Sequence, residues 1–529
     1  MTAKVLVSDE LSERGLEILR SAPAVQVDHR PGLTEAELCQ IIGSYDALVI
    51  RSGTKVTAKV LELASKLKVI GRAGIGVDNV DVPAASRRGV VVMNTPTGNA
   101  VTTAEHALTL LLSAARKIPQ ATASMRAGKW EKKKFEGREV TAKTLGIIGL
   151  GNIGRIVADR ALGLKMVVIA FDPVITADRA ASLGVELVRL SDLFARADFI
   201  TVHTPVTPQT KGLLDDSAFA QMKVGVIVVN AARGGIVDEA ALLRAIATGK
   251  VAGAALDVFE KEPPDVKDPL LANDAIILTP HLGASTSEAQ ERVALEIAEQ
   301  VVDYLGAGII KHAVNVPSLS PEIAKRVEPY QRLARRLGRL LGQLGLSEAT
   351  EFRVSCTGEA NQLGAAPLVN DALAGFLERY FTERVNAVSA PIFAEERGIT
   401  VVQARENAGS RYASTIGVTI SGKKGTVTAT GALGGDGSPH LVELDGCDID
   451  ALLDGTAIVS RNDDRPGVIG AFGTILGNHK INVSRVQLGL DAKSRQALAI
   501  WNVDSKVGDD AVNELKKVPA VSSVLCVDL

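Results

Sequence analysis

Aromatic side chains are scarce: tryptophan, tyrosine and phenylalanine together make up 3% of 529 residues. With 46% apolar residues, the interior must therefore be aliphatic, as in parallel sheets covered by helices. Cysteine is sparse too. Cys39, Cys356, Cys447 and Cys526 lie far apart, without metal-ligand or redox-motif spacing. That argues against a disulfide framework and against any metal site, and predicts free thiols in a reducing compartment. Neither sign of charge dominates. The 59 basic and 61 acidic side chains leave a net charge of −2, with no basic field for nucleic acid and no block of like charges. No apolar run approaches the ~20 residues that span a bilayer. Met1-Thr2-Ala3-Lys4-Val5 enters a strand pattern at once, without the apolar segment of a signal peptide. These absences predict a soluble, cytoplasmic protein with no membrane or nucleic-acid partner.

What is present starts with length, which suggests three or four domains rather than one core. The most specific stretch is Thr144-Leu145-Gly146-Ile147-Ile148-Gly149-Leu150-Gly151-Asn152-Ile153-Gly154. An apolar run leads into Gly-x-Gly-x-x-Gly and then a helix pattern. Gly149 permits the tight strand-to-helix turn, Gly151 lets a pyrophosphate approach the backbone, and Gly154 lets helix and strand pack closely. The pyrophosphate would rest on the unpaired amides of the helix N-terminus. A second apolar run ends at Asp172, 18 residues past Gly154, close to the spacing of about 20 for an acid that holds a ribose 2′-hydroxyl. No arginine follows it directly to receive a 2′-phosphate, so NAD is expected rather than NADP.

Strand and helix patterns alternate over the first hundred residues, with strands at Val5–Val7, Ala47–Ile50, Lys68–Ile70 and Val90–Val92. A helix starts near Ser12, and Thr34 with Glu37 forms a capping box for another. A long helical pattern from about Ala100 to Ala127 follows. Strands are expected at 144–149, 166–171, 199–203, 224–230, 251–256 and 275–279, and their helix-length spacers favour a parallel sheet. A second long helix pattern, Glu288 to Tyr304, suggests that the chain crosses between two domains twice. Pro317 to Pro321 reads as a linker, 322–346 as a basic helix, and 400–445 as short strands with turns at Ser421–Gly425 and Gly434–Gly437. From about 455 the order reads strand, helix, strand, strand, helix, strand.

Ligands of doubly wound sheets gather outside the carboxyl ends of the strands. Three such ends carry suitable groups: Arg233 in Asn230-Ala231-Ala232-Arg233-Gly234-Gly235, the acids of Asp257-Val258-Phe259-Glu260-Lys261-Glu262-Pro263, and His281 in Pro280-His281-Leu282-Gly283-Ala284. An arginine fork can clamp a carboxylate and polarise a developing oxyanion. A histidine can take a hydroxyl proton, and a neighbouring glutamate raises its pKa. His106, on the apolar helix pattern, and His203, at a strand end, read as structural.

With the glycine fingerprint these three make four ordered motifs, and together they resemble the NAD-dependent D-2-hydroxyacid dehydrogenases over residues 3 to about 316. With its tail, the chain resembles the long branch of that family, which oxidises 3-phospho-D-glycerate in the first step of phosphorylated L-serine biosynthesis. The resemblance implies an α/β protein: a Rossmann-type doubly wound parallel sheet, a flavodoxin-like substrate domain, an α+β intervening domain and a βαββαβ ACT domain. The implied boundaries are 1–98 and 284–318 for the substrate domain, 99–283 for the NAD domain, 319–453 for the intervening domain and 454–529 for the ACT domain.

The resemblance also implies roles. Arg233 would clamp substrate, His281 act as acid and base, and Glu262 partner it. Gly149, Gly151, Asn152, Ile153, Gly154, Asp172, Thr204, Ala231, Asp257 and Gly283 would line NAD, with Asp172 on the ribose and Asp257 on the nicotinamide carboxamide. Arg51, Ser52, Arg72, Gly74, Ile75 and Gly76 would bind the phosphate and carboxylate of the substrate, and amides of the Gly74–Gly76 turn can form an anion nest. Lys129 to Lys134 would reach the site of a partner subunit in a homo-oligomer, a dimer or tetramer. In the tail, Asn462, Asp464 and Asn482 would hold an amino-acid effector such as L-serine; the extra acid Asp463 speaks against serine itself. Two alternatives stay open: another D-2-hydroxyacid dehydrogenase such as a glyoxylate or hydroxypyruvate reductase, and a nucleotide-sensing corepressor built on the same fold.

Overall fold

A computed structural model describes residues 2–318, 321–345, 348–382, 385–405, 411–423, 425–491 and 496–529. Residues 319–320 of the expected linker, 346 of the basic helix and 424 of the 421–425 turn lie outside these. Among the described residues no helix is long and apolar enough to cross a membrane.

The first sheet contains β1 (Ala3–Val7), β2 (Val25–His29), β3 (Ala47–Ile50), β4 (Val69–Arg72) and β5 (Val91–Met93), in the order β2-β1-β3-β4-β5. Every pairing is parallel, which gives the flavodoxin-like order. Sequence reading passed over β2, an edge strand in which only Val25 and Val27 of five residues are apolar. The Thr34–Glu37 capping box is present in full.

The second sheet contains β6 (Thr144–Ile148), β7 (Val167–Phe171), β8 (Glu186–Leu187), β9 (Phe199–Val202), β10 (Val226–Asn230), β11 (Val251–Leu256) and β12 (Ile276–Leu278). Their order is β12-β11-β10-β9-β6-β7-β8, all parallel. The two-residue β8 is too short to leave a sequence signal. Connections reverse direction between β6 and β9, and the crevice at that switch point is where such sheets bind dinucleotides. Strands β9 and β10 are buried throughout, which is why they read as unbroken aliphatic runs.

Two long helices cross between these sheets. The helix Ala100–Arg116 leaves the first sheet after β5 and packs its buried face, Ala104, Ala107, Leu108 and Leu111, against the second. The helix Ser287–Ala307 returns, and its Val293, Ile297 and Val301 join Val5, Val7 and Val69 in the first core. The continuous helix expected over 100–127 is instead broken at Lys117, which takes a left-handed φ of 54° before a second helix, Ile118–Arg126. Pro119 explains the break: it has no N–H to donate, and its ring would strike the carbonyl four residues back.

The rest of the chain forms two antiparallel-rich sheets. Strands β13 (Ala349–Cys356), β14 (Thr400–Arg405), β15 (Ile416–Gly422), β16 (Gly425–Leu433), β17 (Pro439–Leu444) and β18 (Cys447–Leu452) run in the order β14-β13-β15-β16-β17-β18. The helices Pro321–Leu344 and Ala365–Leu377 cover them. Strands β19 (Thr456–Asp463), β20 (Val483–Leu490), β21 (Gln496–Val503) and β22 (Val521–Asp528) form the βαββαβ tail, in the order β20-β21-β19-β22. Its helices cover one face, where Phe472 stacks on Trp501 at 5.1 Å. The other face, with Ala457, Val459, Leu498 and Ile500, shares the core of the preceding sheet.

Candidate active site

The dinucleotide crevice follows from local backbone rules. Gly149 closes β6 at a φ of 92°, where a Cβ would strike the His203 carbonyl, and Gly151 caps the helix Asn152–Gly163 without a side-chain bond. A Cβ on Gly151 would meet nothing within 4 Å, so the space above the helix N-terminus is open. A Cβ on Gly154 would fall 2.0 Å from the Gly149 carbonyl oxygen. Gly154→Ala is therefore expected to destabilise the protein by about 1–3 kcal/mol through overpacking and to weaken NADH binding. A thermal melt and a fluorescence titration check it; unchanged values would show that the turn can spread.

Asp172 follows β7, and its carboxylate is held in place by amides. Oδ2 accepts from Leu150 N at 2.8 Å, and Oδ1 accepts from Val174 N at 2.9 Å and Ile175 N at 3.2 Å. Thr204 Oγ1 is buried without a hydrogen-bond partner. An open helix N-terminus, a fixed acid and an unsatisfied hydroxyl in one crevice are what a bound dinucleotide would satisfy. Ala231 lies buried at the end of β10, and Ile153 packs partly into the core below. Asn152 instead turns toward the interdomain crossing, donating to the Pro96 carbonyl at 3.2 Å. His203 bonds Thr201 Oγ1 at 3.0 Å, and burial pushes its imidazole down to about 4.

Beyond the crevice, the carboxyl ends of the adjacent strands β10, β11 and β12 deliver Arg233, Glu262 and His281. His281 Nδ1 lies 2.7 Å from Glu262 Oε2, while Glu262 Oε1 accepts from Phe259 N at 3.1 Å. The hydrogen bond that His281 donates to Glu262 raises the His281 pKa above its ordinary value; burial and the Arg233 charge oppose this. Burial pushes the Glu262 carboxyl up, but the bond to His281, the charge of that ring and the bond from Phe259 N together outweigh it and leave it low. Arg233 Nε donates to Asp78 Oδ2 at 2.9 Å and Nη1 to the Ala232 carbonyl at 2.7 Å. Two of its five N–H donors are thus used. Asn230 braces this turn through Arg233 O and Ala232 N.

The first sheet supplies the opposite wall. Arg51 and Ser52 follow β3 and line an open cavity of about 400 Å³ with Asp9, Glu10 and Gly53. The Asp9 carboxylate accepts from Arg51 N and Thr54 N. The Arg72 guanidinium lies against Gly74, and that of Arg233 against Gly76, so a Cβ at either glycine would strike it. These glycines therefore seat two cations. Ile75 is tied through its carbonyl to Asn94. Arg72 Nε is buried without a partner. Burial and the charges of Arg233 and Arg51 push the Arg72 guanidinium down to about 10, against Asp78 and Asp9. Among the described residues, Arg233 alone of these arginines is ion-paired, with Asp78, which leaves the guanidinium groups of Arg51 and Arg72 for an anion.

Sequence reasoning missed Asp9 and gave no role of their own to Asp78 and Asn230. Asp9 follows β1 and Asn230 ends β10, so strand-end position could have flagged both. Asp78 meets Arg233 only across the cleft. Asp257 does not open freely into the crevice: Thr279, Leu282 N and Gly283 N donate to its fully buried carboxylate, and His106 lies 3.1 Å away. In the tail, Asn462 and Asp464 share a cavity of about 160 Å³ with Val468, Ile469, Leu488 and Trp501. Asn482 is not among its lining residues; it donates to Asp504 Oδ2 at 2.5 Å. Asp463 is paired with Arg465. Lys132–Phe135 form an exposed turn beside Trp130.

Comparison with known proteins gives a consistent result. Residues 108–283 match the D-isomer specific 2-hydroxyacid dehydrogenase NAD binding domain, and residues 326–445 the D-3-phosphoglycerate dehydrogenase intervening domain. The chain is 42% identical over 528 residues to the D-3-phosphoglycerate dehydrogenase of Synechocystis sp., covering 100% of this chain and 95% of that one. It is 39% identical over 526 residues to the enzyme of that name from Bacillus subtilis, covering 99% of each. A solved glyoxylate reductase from Paecilomyes thermophila superposes on 59% of this chain and 98% of its own, with a TM-score of 0.55 and 30% identity.

Proposed function

The chain belongs to the D-3-phosphoglycerate dehydrogenases, NAD-dependent members of the D-2-hydroxyacid dehydrogenase family, and from that premise we propose how its own residues oxidise 3-phospho-D-glycerate to 3-phosphohydroxypyruvate. Arg233 clamps the C1 carboxylate with its remaining N–H groups and stabilises the oxygen that gains charge at C2. Arg51 and Arg72, beside the 74–76 loop, receive the phosphate. His281 takes the C2 hydroxyl proton on Nε2 while Glu262 fixes Nδ1. NAD, when bound, accepts the hydride from C2. Asp172 orients the adenosine ribose, and the amides after Gly151 and the Thr204 hydroxyl hold the phosphates; Asp257, fully buried, braces the loop of His281.

The observation that carries this reading is the His281–Glu262 contact of 2.7 Å beside Arg233, facing arginines from the other sheet. A substrate that carries a phosphate as well as a carboxylate, unlike lactate or glycerate, accounts for that concentration of cations. We assign the enzyme to L-serine biosynthesis and, on its free thiols, to the cytoplasm. We read it as a homo-oligomer, with Lys129 to Lys134 directed at a neighbouring subunit. The tail, an ACT domain at 454–529, would bind an amino acid at Asn462 and Asp464, with Asn482 supplied from a second copy.

Initial rates of NADH formation test the substrate. Phosphoglycerate should exceed glycerate and lactate in kcat/KM by about tenfold or more, since charge-assisted bonds to phosphate are worth about 1.5–3 kcal/mol each. Equal rates would overturn the phosphate assignment. The same assay with L-serine and with aliphatic amino acids tests the tail.

A further inference from the structure

The loop that presents His281 is gripped from behind by the first crossover helix. Asp257 Oδ1 accepts from the Thr279 hydroxyl at 2.6 Å and from Leu282 N at 2.7 Å, and Oδ2 from Gly283 N at 2.8 Å. These donors belong to the loop itself. His106 Nε2, from the helix Ala100–Arg116, bonds the Thr279 hydroxyl oxygen at 3.3 Å and lies 3.1 Å from Asp257 Oδ1. One turn earlier on that helix, Thr103 donates to the Gly283 carbonyl at 3.0 Å. Burial pushes the Asp257 carboxyl up, but bonds from His106, Thr279 and Leu282 outweigh it and hold it below its ordinary value. An ionised carboxylate only accepts, so the His106 ring must offer Nε2–H.

The loop needs that grip. His281 has a φ of 52°, in the left-handed region that non-glycine residues occupy only when their surroundings over-determine it. Its own N–H reaches the Asp257 carbonyl at 2.9 Å. A histidine that merely filled space on an apolar helix face would have no bond to the acid beneath the reacting loop.

We propose that His106 is a positioning residue for the reaction: through Thr279 and Asp257 it fixes the Thr279–Gly283 turn and so holds the His281 ring on Glu262. This rests on His281 as the proton acceptor described above. The charged groups around His281 are Glu262, Asp257 and Arg233; those on Asp257 are His106 and, through the loop, His281.

The test uses the full-length enzyme. His106→Leu keeps volume and removes the donor; His106→Gln returns an N–H near the former Nε2. His106→Leu is expected to lower kcat about 10- to 100-fold, the scale of losing a bond to a charged group, with KM for phosphoglycerate nearly unchanged. A loosened Glu262 contact lets the His281 pKa fall. Oxidation needs the neutral ring, so the ascending limb of the pH–rate profile moves to lower pH. His106→Gln should restore most of both. Should the Leu variant not fold, His106→Asn, whose amide stops short of Asp257, takes its place with the same expectations. Native kcat and a native limb would overturn the proposal, as would a loss confined to melting temperature or NADH affinity. His281→Ala run alongside separates the two readings: if it is impaired while the His106 variants are not, only the assignment of His106 falls.

Discussion

Replacing His281 with alanine should lower kcat for alcohol oxidation by about 10²–10⁴, the contribution of a positioned general base, and flatten the pH–rate profile. The geometry sets the roles of the two ring nitrogens. Nδ1 is committed to Glu262 at 2.7 Å, so Nε2 is the nitrogen left for the substrate hydroxyl. Glu262 holds the imidazole pKa above its ordinary 6.5. The rate of oxidation therefore rises with pH through that raised value, and the reverse reduction, which needs imidazolium, falls through it. Glu262→Gln should move both limbs to lower pH. The same pair bears on stability. Its contribution through His281 is present below pH 6.5 and is lost as pH rises through the raised folded value. Its contribution through Glu262, held low, is present above the ordinary 4.5 and is lost as pH falls. Both side chains are well exposed, so the effect on melting is small and the rate profile is the decisive measurement. A His281→Ala enzyme with the native ascending limb would place the proton acceptor elsewhere.

Arg233→Ala should lower kcat/KM by about 10²–10³, the usual loss when a donor to a developing oxyanion is removed. Arg233→Lys should recover little, because an ammonium has no planar fork for a carboxylate. The affinity for NADH should hold, since Arg233 points to Asp78 and Gly76 on the opposite wall rather than into the Gly149–Gly154 crevice. The fold should hold as well: Asp78, left without its partner, is 71% exposed and water takes over. Steady-state rates with phosphoglycerate and an NADH titration on the same preparations check both statements. Near-native kcat/KM would mean that Arg72 or Arg51 is the clamp.

Features that depend on a few consecutive residues were legible without coordinates. The Gly149–Gly154 turn, the Thr34–Glu37 box and the strand-end positions of Arg233, Glu262 and His281 are of this kind, because backbone sterics and helix-end chemistry act over one or two turns. Pro119 was equally local and should have divided the long helix pattern at Lys117. The βαββαβ order of the tail was readable from its alternation of patterns; the exclusion of Asn482 from the Asn462–Asp464 cavity was not.

The chain's order of residues by itself determined an aliphatic parallel-sheet protein with a dinucleotide turn and three reactive groups at strand ends. Only the tertiary structure decided that Arg233 leans on Asp78, 155 positions away, that Gly74 and Gly76 seat guanidinium groups, and that Asp257 and His106 lie beneath the loop of His281. Such pairings need segments far apart in the chain to meet within about 3 Å. Where they meet depends on how the two crossover helices pack one sheet against the other, a sum of many weak apolar contacts with no local signature.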